Sequence, residues 1–402
     1  MAPPLAGLKV LELARVLAGP WAGQMLSDLG ASVIKVESPA GDDTRNWGPP
    51  FVEGGIGRPA AAYYHSTNRG KRSIAIDFRK PEGREIVRKL AAASDVLIEN
   101  FKVGGLAKYG LDYVSLKPLN PRLIYCSITG FGQTGPYAPL PGYDFVIQGM
   151  GGLMDQTGDP DGPPQKVGLA VVDIFAGVYS VAAIEAALIA REKTGTGQHI
   201  DLALLDTVTS VMSYHAVSYL ASGVSPTRVG NAHPNIVPYD EFATRDGHLI
   251  VAVGNDSQFR SFVAILGRPD LADDPRFATN AARVTNRKEI VPLLRELVAG
   301  WFRDDLMAKL KVANVPVGPI NRIDQVFSDP QVQARGMRLD LPDGGGVKIP
   351  SVRDPILMDG TPLRYENASP AHGEHTRAIL SELGYPQSAI ESLIATGVVI
   401  AA

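Results

Sequence analysis

Cysteine is nearly absent from this chain: Cys126 is the one in 402 residues. That excludes a disulfide framework, leaves no ligand set for a cysteine-based zinc site, and points to a reducing compartment, the cytoplasm. Uninterrupted apolar runs are also missing. The longest, 171–190, carries Asp173 and Glu185, as expected of a buried helix rather than a membrane span. Glu12 and Arg15 interrupt the first apolar run, so the N-terminal residues do not read as a secretory signal. No charge of one sign dominates, since the net charge is −3, and composition gives no reason to expect nucleic acid as the partner. An apolar content of 45% excludes wholesale disorder. Three signatures are absent as well. The loop Ala14-Arg15-Val16-Leu17-Ala18-Gly19-Pro20 has a single glycine where a dinucleotide fingerprint needs three, and neither a phosphate-binding P-loop nor a Gly-x-Ser-x-Gly nucleophile elbow occurs.

What is present is alternation. Leu8–Leu13 reads as a strand, Trp21–Leu29 as a helix with Pro20 at its start and Gly30 after its end, and Ala31–Val36 as a second strand. Ser73–Phe78, Asp95–Glu99 and Arg122–Ile128 are further strands, with a helix over Pro81–Ala93. This order predicts an α/β fold with an open parallel sheet wound by helices. A helix is expected over Ile174–Arg191, closed by Lys193-Thr194-Gly195-Thr196-Gly197, then a strand and helix over His199–Leu220. Composition changes at Ser222–Pro238. Beyond it come a hairpin over Tyr239–Val253, turning at Arg245-Asp246-Gly247-His248, and helices near Ser257–Leu266, Arg287–Trp301 and Arg303–Ala313. The expectation is a large domain of 1–221 and 335–402 and a small α+β domain of 222–334. The Gly- and Pro-rich stretch Arg335–Asp354 reads as a long linker, and Thr376–Ala395 as helical.

Three groups of residues bear on chemistry. His372-Gly373-Glu374-His375 has a spacing that can ligate metal, but the intervening glycine and the lack of further carboxylates favour a loop, so no metal site is expected. Asn68-Arg69-Gly70-Lys71-Arg72 is a solvated basic turn or, since arginine suits oxyanions, a phosphate site. Asp173 sits among apolar and small residues. Spacing makes it an N-cap for the helix that follows, where the helix dipole keeps a carboxylate ionised, and an ionised carboxylate beside a thioester is a nucleophile.

Several blocks together resemble the class III CoA-transferase family: Leu5-Ala6-Gly7-Leu8-Lys9-Val10-Leu11-Glu12, Ala18-Gly19-Pro20, Leu29-Gly30-Ala31-Ser32-Val33-Ile34-Lys35-Val36-Glu37, Gly41-Asp42-Asp43-Thr44-Arg45, Asn68-Arg69-Gly70-Lys71-Arg72-Ser73, Glu99-Asn100-Phe101, Gly130-Phe131-Gly132-Gln133-Thr134-Gly135-Pro136, Lys193–Gln198 and Gly373-Glu374-His375-Thr376. The resemblance implies a Rossmann-like large domain built from both chain ends, a small inserted domain, and an interlocked homodimer. It also implies acyl-CoA and small carboxylic acids as partners, with coenzyme A as substrate and product and no tightly bound cofactor. By the same match Asp173 is the nucleophile and Asp144 an acidic residue close to it. Val16 and Leu17 line the thiol end of CoA. Ile76, Asp77, Phe78, Arg79, Asn100, Phe101, Lys102, Val103 and Lys108 hold its adenosine and phosphates. A dicarboxylic acid such as succinate or a glutarate-like acid is the expected substrate, with Arg45 either its distal-carboxylate ligand or a structural loop arginine. The chain departs from oxalate-specific members at Leu17, Ser38 and Pro141, and lacks their run of glycines after Pro238. It reads Gly142-Tyr143-Asp144 where the related racemases need a histidine before the aspartate, and tyrosine is a poor base at neutral pH. The remaining alternative, a noncatalytic CoA-binding module, keeps the basic residues without needing Asp173.

Overall fold

The computed structural model describes residues 2–402, which divide into two compact units. The larger holds residues up to 152, then 167–217 and 331–402. Its centre is a seven-stranded sheet of β1 (Lys9–Glu12), β2 (Ser32–Glu37), β3 (Arg72–Ile76), β4 (Val96–Glu99), β5 (Ile124–Thr129), β6 (His199–Ala203) and β7 (Val399–Ile400). The strands lie in the order β7-β3-β2-β1-β4-β5-β6. The six long strands are parallel, and β7 closes one edge antiparallel to β3. The order 3-2-1-4-5-6 is that of a doubly wound sheet, whose direction of winding reverses between β1 and β4. Helices cover both faces, so the inner strands are buried throughout: Val96, Leu97 and Ile98 are fully enclosed.

Three helices position the site. The loop after β1 leads into α1 (Ala18–Asp28), with Leu17 at its N-cap and Pro20 two residues further in than the sequence suggested. The short α2 (Asp144–Met150) precedes α3 (Val171–Thr194), which ends on Gly195 in the left-handed conformation that only glycine adopts freely. By length and composition α3 is apolar enough to cross a membrane. It packs on α1 at Gly177, where a Cβ would sit 2.9 Å from the Ala18 carbonyl oxygen and 2.9 Å from the Trp21 ring.

The stretch 335–354 is not a linker. Arg338–Pro342 and Lys348–Val352 pair as an antiparallel hairpin, whose turn is held by Asp343 Oδ1 accepting from Gly345 N (3.0 Å) and Val347 N (2.8 Å). The three consecutive glycines there made a hairpin turn read as part of a long linker, while Leu341 and Ile349 supply the buried face.

The smaller unit comprises 153–166 and 218–330. The sheet order is Val317–Pro319, His248–Ala252, Tyr239–Ala243, all antiparallel, with helices Asp256–Ile265, Arg287–Ala299 and Arg303–Val312 enclosing Phe242, Phe259, Phe262 and Leu294. Residues 153–166, expected in the large domain, belong here because Arg228 donates to three of their carbonyls: Asp155 (3.1 Å), Asp159 (2.9 Å) and Gly162 (2.9 Å). A guanidinium spent on distant backbone oxygens leaves no periodic trace in a sequence.

Candidate active site

A cavity of about 690 Å³ opens where the carboxyl ends of all six parallel strands meet. Each strand contributes the residues that follow it: Arg15–Ala18 after β1, Ser38–Ala40 after β2, Asp77–Arg79 after β3, Asn100–Val103 after β4, Gly130 after β5, Leu204 after β6. This is the crevice in which doubly wound sheets take ligands.

Val16, Leu17, Ile76, Asp77, Phe78, Arg79, Asn100, Phe101, Lys102, Val103, Lys108 and Asp173 are all brought to its wall. One side is a basic and aromatic rim. Phe78 meets Phe101 and Tyr109 edge to face at 5.9 and 5.3 Å, and Lys108 Nζ lies 4.9 Å from the Tyr109 ring centroid. Such a shelf can take a planar base, with Lys102 and Lys108 able to meet phosphates. Arg79 lies on the same rim but is paired with Asp77, at 2.7 and 2.9 Å.

The other side carries Asp173. Helix α3 starts at Val171, with Ala170 as its N-cap, so Asp173 is the third residue of the first turn and not the cap. The cap is supplied from elsewhere: Asp144 Oδ1 accepts the backbone N–H groups of Val172 (2.8 Å) and Asp173 (3.2 Å), while Oδ2 takes Gln148 Nε2 at 2.6 Å. Asp144 is buried and does not line the cavity; its contacts run to Gln148 and to the first turn of α3. Burial, then the nearby Asp144 charge, push the Asp173 carboxyl up to about 7. The dipole expectation of a fully ionised group therefore gives way to desolvation. Asp173 makes no ion pair among the described residues, in contrast to Asp77, the other carboxylate on the wall.

Val16, also on the wall, has φ +72°, a conformation a β-branched side chain adopts only under constraint, at a cost of about 1–3 kcal/mol. Behind this loop runs a buried chain of charges. Glu12 pairs with Lys35 (3.0 Å) and Lys71 (2.7 Å), Lys35 pairs with Asp42 (2.9 Å), and Asp42 faces Val16 N at 3.4 Å. Burial alone raises a carboxyl, but Lys35 overrides it and holds Asp42 near 2. Burial pulls Lys71 down to about 8 despite Glu12.

Of the two readings of Arg45 the contacts favour the structural one, and the expectation for 68–72 is corrected. Arg45 does not reach this cavity. Its guanidinium is bidentate on Glu37 (2.7 and 2.8 Å), bonds Tyr64 Oη (2.6 Å) and the Pro370 carbonyl (3.1 Å), and stacks on the Tyr64 ring. Nor is 68–72 a solvated turn or a phosphate site: Arg69 is buried against Asp28, Lys71 against Glu12, and Arg72 pairs with Glu382. Wall residues that sequence reasoning passed over include Arg15, Tyr109 and Leu204, while Ser38 and Tyr143, noted only as departures from relatives, also line it. Arg15, Ser38 and Leu204 each follow a strand end, a signal already in the sequence. His372 to His375 form a turn before the helix Thr376–Glu382, and no cluster able to hold a metal occurs among the described residues.

The family described as CoA-transferase family III matches residues 5–376. The chain belongs to that family. It is a CoA-transferase, with CoA as substrate and product. It is 59% identical to a succinate–glutarate CoA-transferase of Agrobacterium fabrum over 95% of this chain and 96% of that one. It is 43% identical to the human succinyl-CoA:glutarate CoA-transferase over 98% and 90%. A CAIB/BAIF family protein from Brucella suis has a crystal structure that superposes with TM-score 0.86 at 59% identity, covering 95% of this chain and all of that one.

Proposed function

We propose that this CoA-transferase moves CoA from succinyl-CoA to a glutarate-like dicarboxylic acid through covalent work at Asp173. The observation that carries the reading is that Asp173 is the one wall carboxylate without an ion pair among the described residues, held near neutrality in its pKa on the wall shared with Val16 and Leu17. The names of the relatives supply the substrate class.

The ionised Asp173 oxygen attacks the thioester carbonyl and expels CoA thiolate, leaving a mixed anhydride. The thiolate attacks the Asp173 carbonyl, releasing the donor acid and forming an aspartyl-CoA thioester. The acceptor carboxylate attacks that carbonyl and expels the thiolate again. The thiolate then takes the acceptor's acyl group and frees Asp173. Thioester energy is conserved because each bond broken is replaced by another acyl bond, provided that water is kept out. Val16 and Leu17 lie at the reacting end in this reading, and Ile76–Arg79, Asn100–Val103 and Lys108 hold the adenosine and phosphates.

Incubation with a panel of acyl-CoAs followed by hydroxylamine or borohydride tests it. A modified Asp173 is expected by peptide mass spectrometry. CoA transfer with no adduct at that residue contradicts the reading.

The enzyme is further read as an interlocked homodimer of a reducing cytoplasm. Supporting a dimer, α3 leaves Phe175, Val178, Tyr179 and Ile189 exposed although by length and composition it is apolar enough to cross a membrane. Sedimentation at twice the 42.8 kDa chain mass is the expected result.

A further inference from the structure

Family resemblance makes Asn100 a CoA ligand, but its amide is already engaged. Its Oδ1 accepts the Arg15 backbone N–H at 3.0 Å, and its Nδ2 donates to the Arg15 carbonyl at 2.6 Å. Both polar atoms of the side chain are thus spent on the backbone of one residue, the one that precedes Val16. The contact crosses from the end of β4 to the end of β1, the place where the winding of the sheet reverses. At the other edge of the same Arg15–Val16 peptide the carboxylate of Asp42 lies 3.4 Å from the Val16 N–H through either oxygen, while beyond Val16 the Leu17 carbonyl is tied into α1 by the Trp21 N–H at 2.7 Å. Asp42 is itself fixed. Lys35 holds Oδ2 at 2.9 Å, and Thr44 donates to Oδ1 through its N–H (3.0 Å) and hydroxyl (2.8 Å).

We propose that Asn100 and Asp42 form a two-sided clamp that holds Val16 in its left-handed conformation, and that this clamp sets the Val16–Leu17 loop against Asp173 for the transfer reaction. Asn100 is a positioning residue in this account.

Three features argue for the clamp. Valine at φ +72° relaxes toward the ordinary β region unless its neighbours prevent it, and the turn carries no glycine at that position. The groups that prevent relaxation come from the residue directly after β4 and from the loop after β2, both next to strands of the sheet core, so the loop is held close to rigid elements. The Asp42 arm ends in the buried Glu12–Lys35 pair, which cannot swing aside without stranding charge. An amide suits the Asn100 position because it offers one acceptor and one donor side by side, matching the N–H and C=O of a single residue. Aspartate offers no donor to the Arg15 carbonyl.

The proposal rests on the reading of Asp173 above for the purpose of the loop, but its test does not. The experiment is a double-mutant cycle between Asn100→Ala and Val16→Gly, read as kcat and KM for CoA transfer with an acyl-CoA and acid pair that the wild-type enzyme turns over, per folded enzyme. Asn100→Ala in the native background should lower kcat by roughly tenfold to a hundredfold, the range that release of such strain allows, with KM for the acyl-CoA changed by less than about threefold. In the Val16→Gly background, where the left-handed conformation carries no strain to release, the same substitution should cost at least about fivefold less. Asn100→Asp should resemble Asn100→Ala, and a crystal structure of Asn100→Ala should show Val16 at negative φ. A raised KM with equal losses in both backgrounds makes Asn100 a CoA ligand and overturns the clamp. Lowered melting temperature with unchanged kcat makes it purely structural and also overturns it. Failure to trap an adduct at Asp173 leaves this cycle readable and counts against the nucleophile reading alone.

Discussion

Asp144 accepts the backbone N–H of Asp173 at 3.2 Å, so the buried carboxylate nearest the proposed nucleophile also caps the helix that carries it. The two effects oppose each other in Asp173. Capping fixes the first turn of α3, while the Asp144 charge, second to burial, raises the neighbouring carboxyl.

Replacing Asp144 by Asn keeps an oxygen for the cap and removes the charge. The pH midpoint of kcat/KM should move to lower pH, since the charged form of Asp173 loses a repulsive neighbour. Asp144→Ala should in addition cost about 1–2 kcal/mol of stability from the lost cap. Initial-rate pH profiles and thermal melts of the two variants check this.

The wild-type profile itself has a definite sign. Asp173 must be ionised to attack, and its folded pKa is about 7 against an ordinary 3.8, so kcat/KM should rise with pH and level off above about 8. Stability runs the other way. A carboxyl raised on folding contributes below its unfolded value and loses that contribution as pH climbs through about 7. Asp173→Asn should therefore stabilise the protein at pH 8 by about 1–2 kcal/mol, after discounting for water in the cavity, and change it little at pH 4. Urea melts at both pH values measure the difference.

Gly177 governs how closely α3 approaches α1. A Cβ there meets the Ala18 carbonyl and the Trp21 ring at 2.9 Å each, and neither is the free end of a flexible chain. Gly177→Ala should destabilise by about 1–3 kcal/mol and lower kcat by shifting Asp173 from the Val16–Leu17 loop. Urea denaturation and steady-state rates read the two effects.

Arg45 separates a structural from a substrate role. Its removal leaves Glu37 buried with Ser73 (2.6 Å) as its side-chain donor, so Arg45→Ala should cost about 3–5 kcal/mol. Burial raises Glu37, but Arg45, above all other groups, now holds it near 2. Without the guanidinium its pKa climbs, and the variant should be weakest at neutral and alkaline pH. Surviving folded enzyme should show KM for the acceptor acid within about twofold of wild type. A large rise in that KM instead would return Arg45 to the substrate.

Much of the sheet was legible because parallel strands buried on both faces announce themselves as short apolar runs, as Val96-Leu97-Ile98 does. The strand ends then located the cavity, since in this topology the ligand-facing residues follow the strands. What was hidden depends on contacts far apart in the chain. Glu12 and Lys35 look like surface charges in strand patterns, yet they neutralise each other across β1 and β2. Arg69 and Lys71 read as a basic turn because their acidic partners, Asp28 and Glu12, lie tens of residues upstream. The role of Asp173 as third residue and not cap was unreadable because its cap, Asp144, comes from another helix. Strand β7 is two residues long, too short for any periodicity.

The central claim is that oxygen passes through Asp173. An acceptor acid labelled with oxygen-18 in both carboxyl oxygens donates one of them to the aspartate when its anhydride is cleaved by CoA thiolate. After a single turnover with such an acid, the tryptic peptide 167–191 should gain 2 Da, rising toward 4 Da over further turnovers as the second oxygen exchanges, localised by fragmentation to Asp173. Formation of the acceptor's CoA ester with that peptide unlabelled after many turnovers would contradict the account.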